Sequence, residues 1–276
     1  MTDLDIDLDG GLAAVAGAEP LVHALTNDVT INDVAQAVRH WGGLPVMARD
    51  ERELGDVLDA AAACLLNTGT LDAVREETMA AAGGAANDRN VPVVLDPVGA
   101  GATPTRSRVA RRLATDLDLA AIKGNHGEVT ALAGGDAAVR GVEAVGEYAD
   151  VGESAVACAR EFGTVVVASG RTDVVATDEA VYEIRAGHPM MGEVVGTGCM
   201  LGATVATTAG GLDNPVRAAL LGTVAFGLAG EAAADGAFGA YHGPASYRVA
   251  FRDAVAGLRE AETDDPAERV RRVFEE

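Results

Sequence analysis

The sequence predicts an α/β domain: one mostly parallel sheet flanked by helices on both faces. Short, continuous apolar runs alternate with helical stretches along almost the whole chain. Strands that are apolar throughout, without in-and-out alternation, are buried on both faces, which is the signature of a parallel sheet covered by helices. Nearly every such run stops at a polar or glycine-rich turn, and no internal repeat or low-complexity linker divides the 276 residues. One domain of this length buries a substantial core.

The elements follow in order. Met1 to Gly10 alternates Asp with apolar residues and reads as an acidic tail (1–10) ahead of a domain over 11–276. Ile31 to His40 is helical, followed by the short apolar run Gly43 to Met47. Ala62 to Leu66 reads as a strand ending on Asn67-Thr68-Gly69-Thr70, with a helix over Leu71 to Ala82. Val91 to Leu95 is a buried strand opening onto Asp96-Pro97-Val98-Gly99-Ala100-Gly101-Ala102-Thr103, and Arg106 to Thr115 is helical. Leu119 to Ile122 ends at Lys123-Gly124-Asn125, before a helix over Glu128 to Ala133. Glu153 to Phe162 is helical and Thr164 to Ala168 ends at Ser169-Gly170. Asp173 to Thr177 and Ala180 to Arg185, separated by Asp178-Glu179, form a hairpin. Helices then cover Cys199 to Thr208, Pro215 to Ala234 and Pro244 to Glu260.

Hydrophobic residues make up 49% of the chain but aromatics only 4%, so Ala, Val and Leu must build the core. A net charge of −21 repels nucleic acid and anionic membranes, which removes both as partners. Lys123 is the single lysine against twenty arginines. An acidic, lysine-poor chain suits a salty cytosol, where the screening length falls to about 3 Å at 1 M salt, or else is an ordinary acidic protein of a GC-rich genome. Cys64, Cys158 and Cys199 are odd in number and widely spaced, without zinc spacing, as expected of a reduced, cytoplasmic protein with no structural metal. The acidic start has no basic region followed by an apolar run, and no segment reaches the roughly 18 apolar residues of a membrane span.

In sheets of this class, ligands collect outside the carboxyl ends of the strands. Four predicted strand ends carry Asn67-Thr68-Gly69-Thr70, Asp96, Lys123-Gly124-Asn125 and Ser169-Gly170. The most informative segment is Val194-Val195-Gly196-Thr197-Gly198-Cys199-Met200-Leu201, a glycine turn entering an apolar helix. The helix start offers unpaired N–H groups and partial positive charge to an anion, and it favours the thiolate form of a cysteine placed there. An anion cradle beside a potential base points to phosphoryl transfer to a small alcohol. Asp96, at the tip of a buried run, suits Mg²⁺ beside phosphates, or else it simply forms the turn. Glu128 suits the same centre, or else completes a capping box begun by Asn125. Lys123 is a flexible point charge suited to nucleotide phosphates. Walker A, G-x-G-x-x-G and protein-kinase signatures are absent.

Together these segments resemble the hydroxyethylthiazole kinase family, ribokinase-like enzymes of thiamine salvage. The resemblance is carried in order by His23 to Asp33, Pro45 to Ala48, Asn67 to Leu71, Leu95 to Thr103, Lys123 to Glu128 and Val195 to Leu201. It implies a ribokinase-like fold, and Mg²⁺-dependent phosphorylation by ATP of the primary alcohol of 4-methyl-5-(2-hydroxyethyl)thiazole. Related readings are a kinase for another small alcohol, such as hydroxymethylpyrimidine, or a thiazole or nucleotide sensor without turnover. By the same resemblance Cys199 is catalytic, accepting the alcohol proton while the amides of Gly196 to Cys199 receive the moving charge. Met47 and Gly196 contact the thiazole, and Asn27, Val29, Gly69 and Thr70 line its pocket. Asp96 and Glu128 organise the metal and phosphates, whereas Lys123 and Ser169 contact ATP at positions where the family usually carries Arg and Thr. The resemblance further implies a homotrimer with active sites shared between subunits.

Overall fold

The computed structural model describes residues 6–134, 139–140, 143–144, 149–261 and 265–275. In chain order the elements are α1 (Leu8–Ala18), β1 (Leu21–Leu25), α2 (Ile31–His40), β2 (Leu44–Val46), α3 (Leu54–Ala60), β3 (Ala63–Asn67), α4 (Ala73–Asn87) and β4 (Val93–Asp96). Next come α5 (Pro104–Asp116), β5 (Ala121–Asn125), α6 (His126–Leu132), the short pair β6 (Val139–Arg140) and β7 (Glu143–Ala144), α7 (Ala149–Phe162) and β8 (Val165–Ser169). The chain continues through β9 (Asp173–Ala176), β10 (Ala180–Ile184), α8 (Thr197–Gly211), α9 (Pro215–Ala234), α10 (Pro244–Gly257) and β11 (Val270–Glu275).

Nine strands form one sheet in the order β11-β10-β9-β8-β5-β4-β3-β1-β2. The run from β2 to β8 is parallel, while β9, β10 and β11 add antiparallel strands beyond it. Alternate residues of each strand feed two cores. Val22, Ala24, Leu65, Val94 and Val167 face α1, α2, α8, α9 and α10. Leu25, Cys64, Leu66, Leu95 and Val166 face α3 to α7. The expected architecture of a mostly parallel sheet between two helical layers is therefore present.

The differences have local causes. α1 starts at Leu8, within the expected tail: Asp7 accepts the Gly10 N–H, and Leu8 is buried. Residues 1–5 of the expected tail lie outside the described residues. β1 is masked in the sequence by His23, whose Nε2 satisfies the Ala48 carbonyl from a fully buried position. β11, on the sheet edge, breaks its apolar residues with the adjacent Arg271 and Arg272 and escapes a search for continuous runs.

The central helix, α8, lies across β1, β3, β4 and β5, and every residue from Cys199 to Thr208 is buried. Such a helix needs no apolar stripe, because protein surrounds it. α9 is long and apolar enough to cross a membrane by length and composition, but that apolar surface is spent in the core against α8 and α10. The N-terminus of α8 meets the carboxyl ends of the central strands, and this fixes the site.

Candidate active site

Strand register brings the polar strand ends together. Asn67 pairs with Asp96 across β3 and β4, and Asn125 pairs with Ser169 across β5 and β8. Asn67 Nδ2 donates to Asp96 Oδ2 at 2.6 Å, and Asn67 Oδ1 accepts from Asn27 Nδ2 at 2.9 Å. Asn27 Nδ2 also reaches Thr30 Oγ1 at 2.8 Å and the Cys199 sulfur at 3.3 Å. Cys199 and Asp96 are thus two amide side chains apart, at one rim. Cys199 is buried at its edge, 9% exposed.

Glycines set how closely the helix approaches. Gly196, with φ +98°, caps α8 in the left-handed region; a Cβ there would lie 2.8 Å from Thr30 Cγ2. A Cβ at Gly198 would be 3.2 Å from Lys123 Nζ, and one at Gly202 would be 3.1 Å from Asp96 Oδ2. The lysine ammonium and the aspartate therefore sit directly under the first turns of α8.

Lys123 is buried, not displayed on the rim, and its Nζ stands 3.7 Å from Asp96 Oδ1. Burial pushes the Asp96 carboxyl up to about 7, and Lys123 pulls against it. Burial would lower the lysine, but the carboxylates of Asp96 and Glu128 outweigh it and hold Lys123 charged. Asp96 and Lys123 stand as an ion pair at neutral pH, because an amide donates to Asp96 and an ammonium faces it.

The sulfur differs from expectation. Burial raises the Cys199 thiol and the Asp96 charge adds to this, outweighing the pull of Thr30, Lys123 and Asn67. The helix terminus does not win, and Cys199 rests as a neutral thiol. Cys64 and Cys158 are inert core residues, their thiols pushed up to about 12.

Glu128 completes the capping box with Asn125 and does more. Its Oε2 accepts the Asn125 N–H and its Oε1 accepts the Gly99 N–H, both at 2.7 Å. It clamps the glycine loop after β4 to the end of β5. Asp96 Oδ1, by contrast, is buried and accepts no hydrogen bond. Among the described residues no group of three acidic, histidine or cysteine side chains could hold an ion. That donor set fits Mg²⁺ held by one carboxylate and by substrate phosphates, the usual habit of this ion.

Several of the residues expected to bind the substrate lie beside Asn27 and Asp28. A Cβ on Gly69 would meet the Asn27 side chain, and Thr70 Oγ1 accepts the Asp28 N–H at 3.1 Å. Val29 donates its N–H to Asn27 Oδ1, with its side chain 70% exposed. Met47 follows β2 and is half-buried, packed against the core. Ser169 Oγ donates to the Gly124 carbonyl at 3.3 Å, one residue from Lys123. Sequence reasoning missed Thr30, Asn67 as a side chain inside the site, and Asp33. Asp33, buried and bonded to Arg248 of α10, lies behind Gly196. A polar residue repeatedly following an apolar strand was the available signal for Asn67.

The hydroxyethylthiazole kinase family model matches residues 12–261. The chain belongs to this family. A hydroxyethylthiazole kinase of Natronomonas pharaonis is 59% identical over 278 residues, covering 99% of each chain. The solved hydroxyethylthiazole kinase of Pyrococcus horikoshii OT3 superposes with a TM-score of 0.82 at 33% identity, over 96% of this chain and 98% of that one. A ribokinase-like protein of Enterococcus faecalis V583 shares the fold, with a TM-score of 0.62 at 11% identity over 89% and 88% of the two chains. Hydroxyethylthiazole kinase family membership makes the molecule an ATP-dependent kinase of ribokinase-like fold, and the rim around Cys199 is its candidate active site.

Proposed function

We propose that the protein transfers the γ-phosphate of ATP to the primary hydroxyl of 4-methyl-5-(2-hydroxyethyl)thiazole. The observation that carries this reading is the convergence of the Cys199 thiol, the Asp96 carboxylate and the Lys123 ammonium under the first turn of α8. Loose phosphoryl transition states need alignment and charge stabilisation above all. Asp96, with Glu128 steadying the loop around it, would hold Mg²⁺, which would supply charge to offset that of the ATP phosphates. Lys123 adds a buried positive charge beneath the glycine turn, and Ser169 offers a hydroxyl at the neighbouring strand end. The N–H groups of the Gly196–Cys199 turn receive the charge that develops on the transferred group. Asn27, Val29, Met47, Gly69, Thr70 and Gly196 surround the thiazole alcohol.

Cys199 rests as a neutral thiol and orients the alcohol by hydrogen bonding; it acts as base only as the thiolate, which takes the alcohol proton late and returns to the thiol as phosphate departs from ATP. Val29 and Val195 are 70% and 76% exposed beside the site, an apolar surface that suits cover by a neighbouring subunit of a homotrimer. Three free cysteines support a reducing, cytoplasmic setting. The charge of −21 and relatives among halophilic archaea support work at high salt. A coupled assay for ADP with ATP and Mg²⁺ tests the reading. Turnover with the thiazole alcohol exceeding that with hydroxymethylpyrimidine supports it. Preference for the pyrimidine, or ligand binding without ADP release, overturns it.

A further inference from the structure

Asn67 lies between the two groups on which the transfer site depends, and its orientation is fixed by its partners. Its Oδ1 accepts two N–H groups, from Asn27 Nδ2 at 2.9 Å and from Gly69 N at 3.0 Å. Its Nδ2 donates to the Asp96 carboxylate at 2.6 Å. A flipped amide would set a carbonyl against the carboxylate and an NH₂ against two donors. The same holds for Asn27, whose Oδ1 accepts the N–H groups of Val29 and Thr30, both at 3.0 Å. Its Nδ2 therefore faces Asn67, Thr30 and the Cys199 sulfur. Both amides are buried, at 3% and 4% exposure, where a misdirected donor costs the full desolvation of an unpaired group.

The donors thus run one way, from Asn27 to Asn67 to Asp96, and the second N–H of the first amide is shared between Thr30 Oγ1 and the Cys199 sulfur. We propose that Asn67 is the positioning residue of the phosphoryl-transfer site, a directional amide that holds the Asp96 carboxylate and, through Asn27, the Cys199 thiol at one fixed separation. The inference deepens the proposed function and rests on it for the identity of the reaction. Asn67 donates to Asp96 and also pulls on the Cys199 thiol, so its loss acts on both groups at once. Because sulfur and carboxylate are held by one chain of bonds, breaking that chain at either amide does the same damage.

A double-mutant cycle on the full-length enzyme tests this. Asn67→Leu and Asn27→Leu are each expected to lower kcat about 100-fold, with KM for ATP within about threefold of the parent. The double variant is expected to be no slower than about threefold below either single one. Losses that multiply, or a kcat in Asn67→Leu within threefold of the parent, overturn the proposal. Should Asn67→Leu fail to fold, Asn67→Ser takes its place with the same criteria.

A second measurement needs no turnover, and separates failure of this inference from failure of the assigned reaction. Iodoacetamide labelling, followed by mass spectrometry, reads Cys199 against the core thiols Cys64 and Cys158. The pH midpoint of Cys199 labelling responds to burial, Asp96, Thr30, Lys123 and Asn67, whereas changed access alters only the rate. In Asn67→Leu the released Asn27 amide no longer holds its N–H on sulfur, and the midpoint is expected to rise by about half a unit or more. An unmoved midpoint overturns the proposal whatever alcohol the enzyme phosphorylates.

Discussion

Replacing Glu128 by Gln separates a structural clamp from a charge held for the metal. The carboxylate is 2% exposed and its two oxygens accept the Gly99 and Asn125 N–H groups, each at 2.7 Å. Gln keeps the shape but presents NH₂ to one of those donors. One charge-assisted bond is lost, the other is weakened, and a buried N–H is left without an acceptor, a cost of about 2–4 kcal/mol. With an unfolding entropy of roughly 2.1 cal/mol/K per residue, a chain of 276 residues loses about 0.6 kcal/mol per degree near its midpoint. The expected fall in Tm is therefore about 3–7 °C by calorimetry, accompanied by at least a tenfold drop in kcat as the loop bearing Asp96 loosens. A Tm within about 1 °C of the parent with kcat abolished would refute the clamp and leave Glu128 a purely electrostatic role.

Three further substitutions test other parts of the argument. Cys199→Ser is expected to lower kcat about 10- to 100-fold while ADP affinity by calorimetric titration stays within about twofold; unchanged turnover would remove the sulfur from the mechanism. Gly196→Ala places a Cβ 2.8 Å from Thr30 Cγ2 at a backbone φ of +98°. Thermal unfolding should show about 1–3 kcal/mol of destabilisation, and Tm equal to the parent would contradict the strain. Glu76 is held at about 2 by hydrogen bonds from Arg108 and Arg112, well below its unfolded value of 4.5. Its stabilisation is complete above that unfolded value and is lost as pH falls toward 2. Arg108 is 58% exposed, so solvent screening reduces the contribution to about 1 kcal/mol. Urea midpoints of Glu76→Gln and the parent should differ at pH 7 and converge near pH 2, and a gap that persists there would refute the ion-pair account.

Strand-forming segments buried on both faces were legible because nothing but continuous apolar sequence can fill them. α2 and α9 keep their predicted ends, since Pro215 and the Asn214 side chain mark one start and Trp41 follows the other helix directly. Other elements were less legible: β11 interrupts its apolar residues with two adjacent arginines, and β1 hides a buried histidine. At the site, sequence spacing put Asp96, Lys123 and Cys199 at one rim, but could not give their burial. Burial reversed the expectation for the thiol and turned the lysine inward. Glu128 shows a further limit, since a capping box and a metal-centre carboxylate look identical in sequence. Only the second acceptor role, toward Gly99, reveals how both oxygens are used.

The inward position of Lys123 has a practical corollary. Every other basic side chain outside the histidines is a guanidinium, so the folded surface offers amine-directed reagents no lysine to attack. Acylation of that lone side chain requires the sheet end to come apart beneath α8. The chain consequently carries its own stopwatch for local opening of the catalytic centre, readable from a single peptide without introducing any label site.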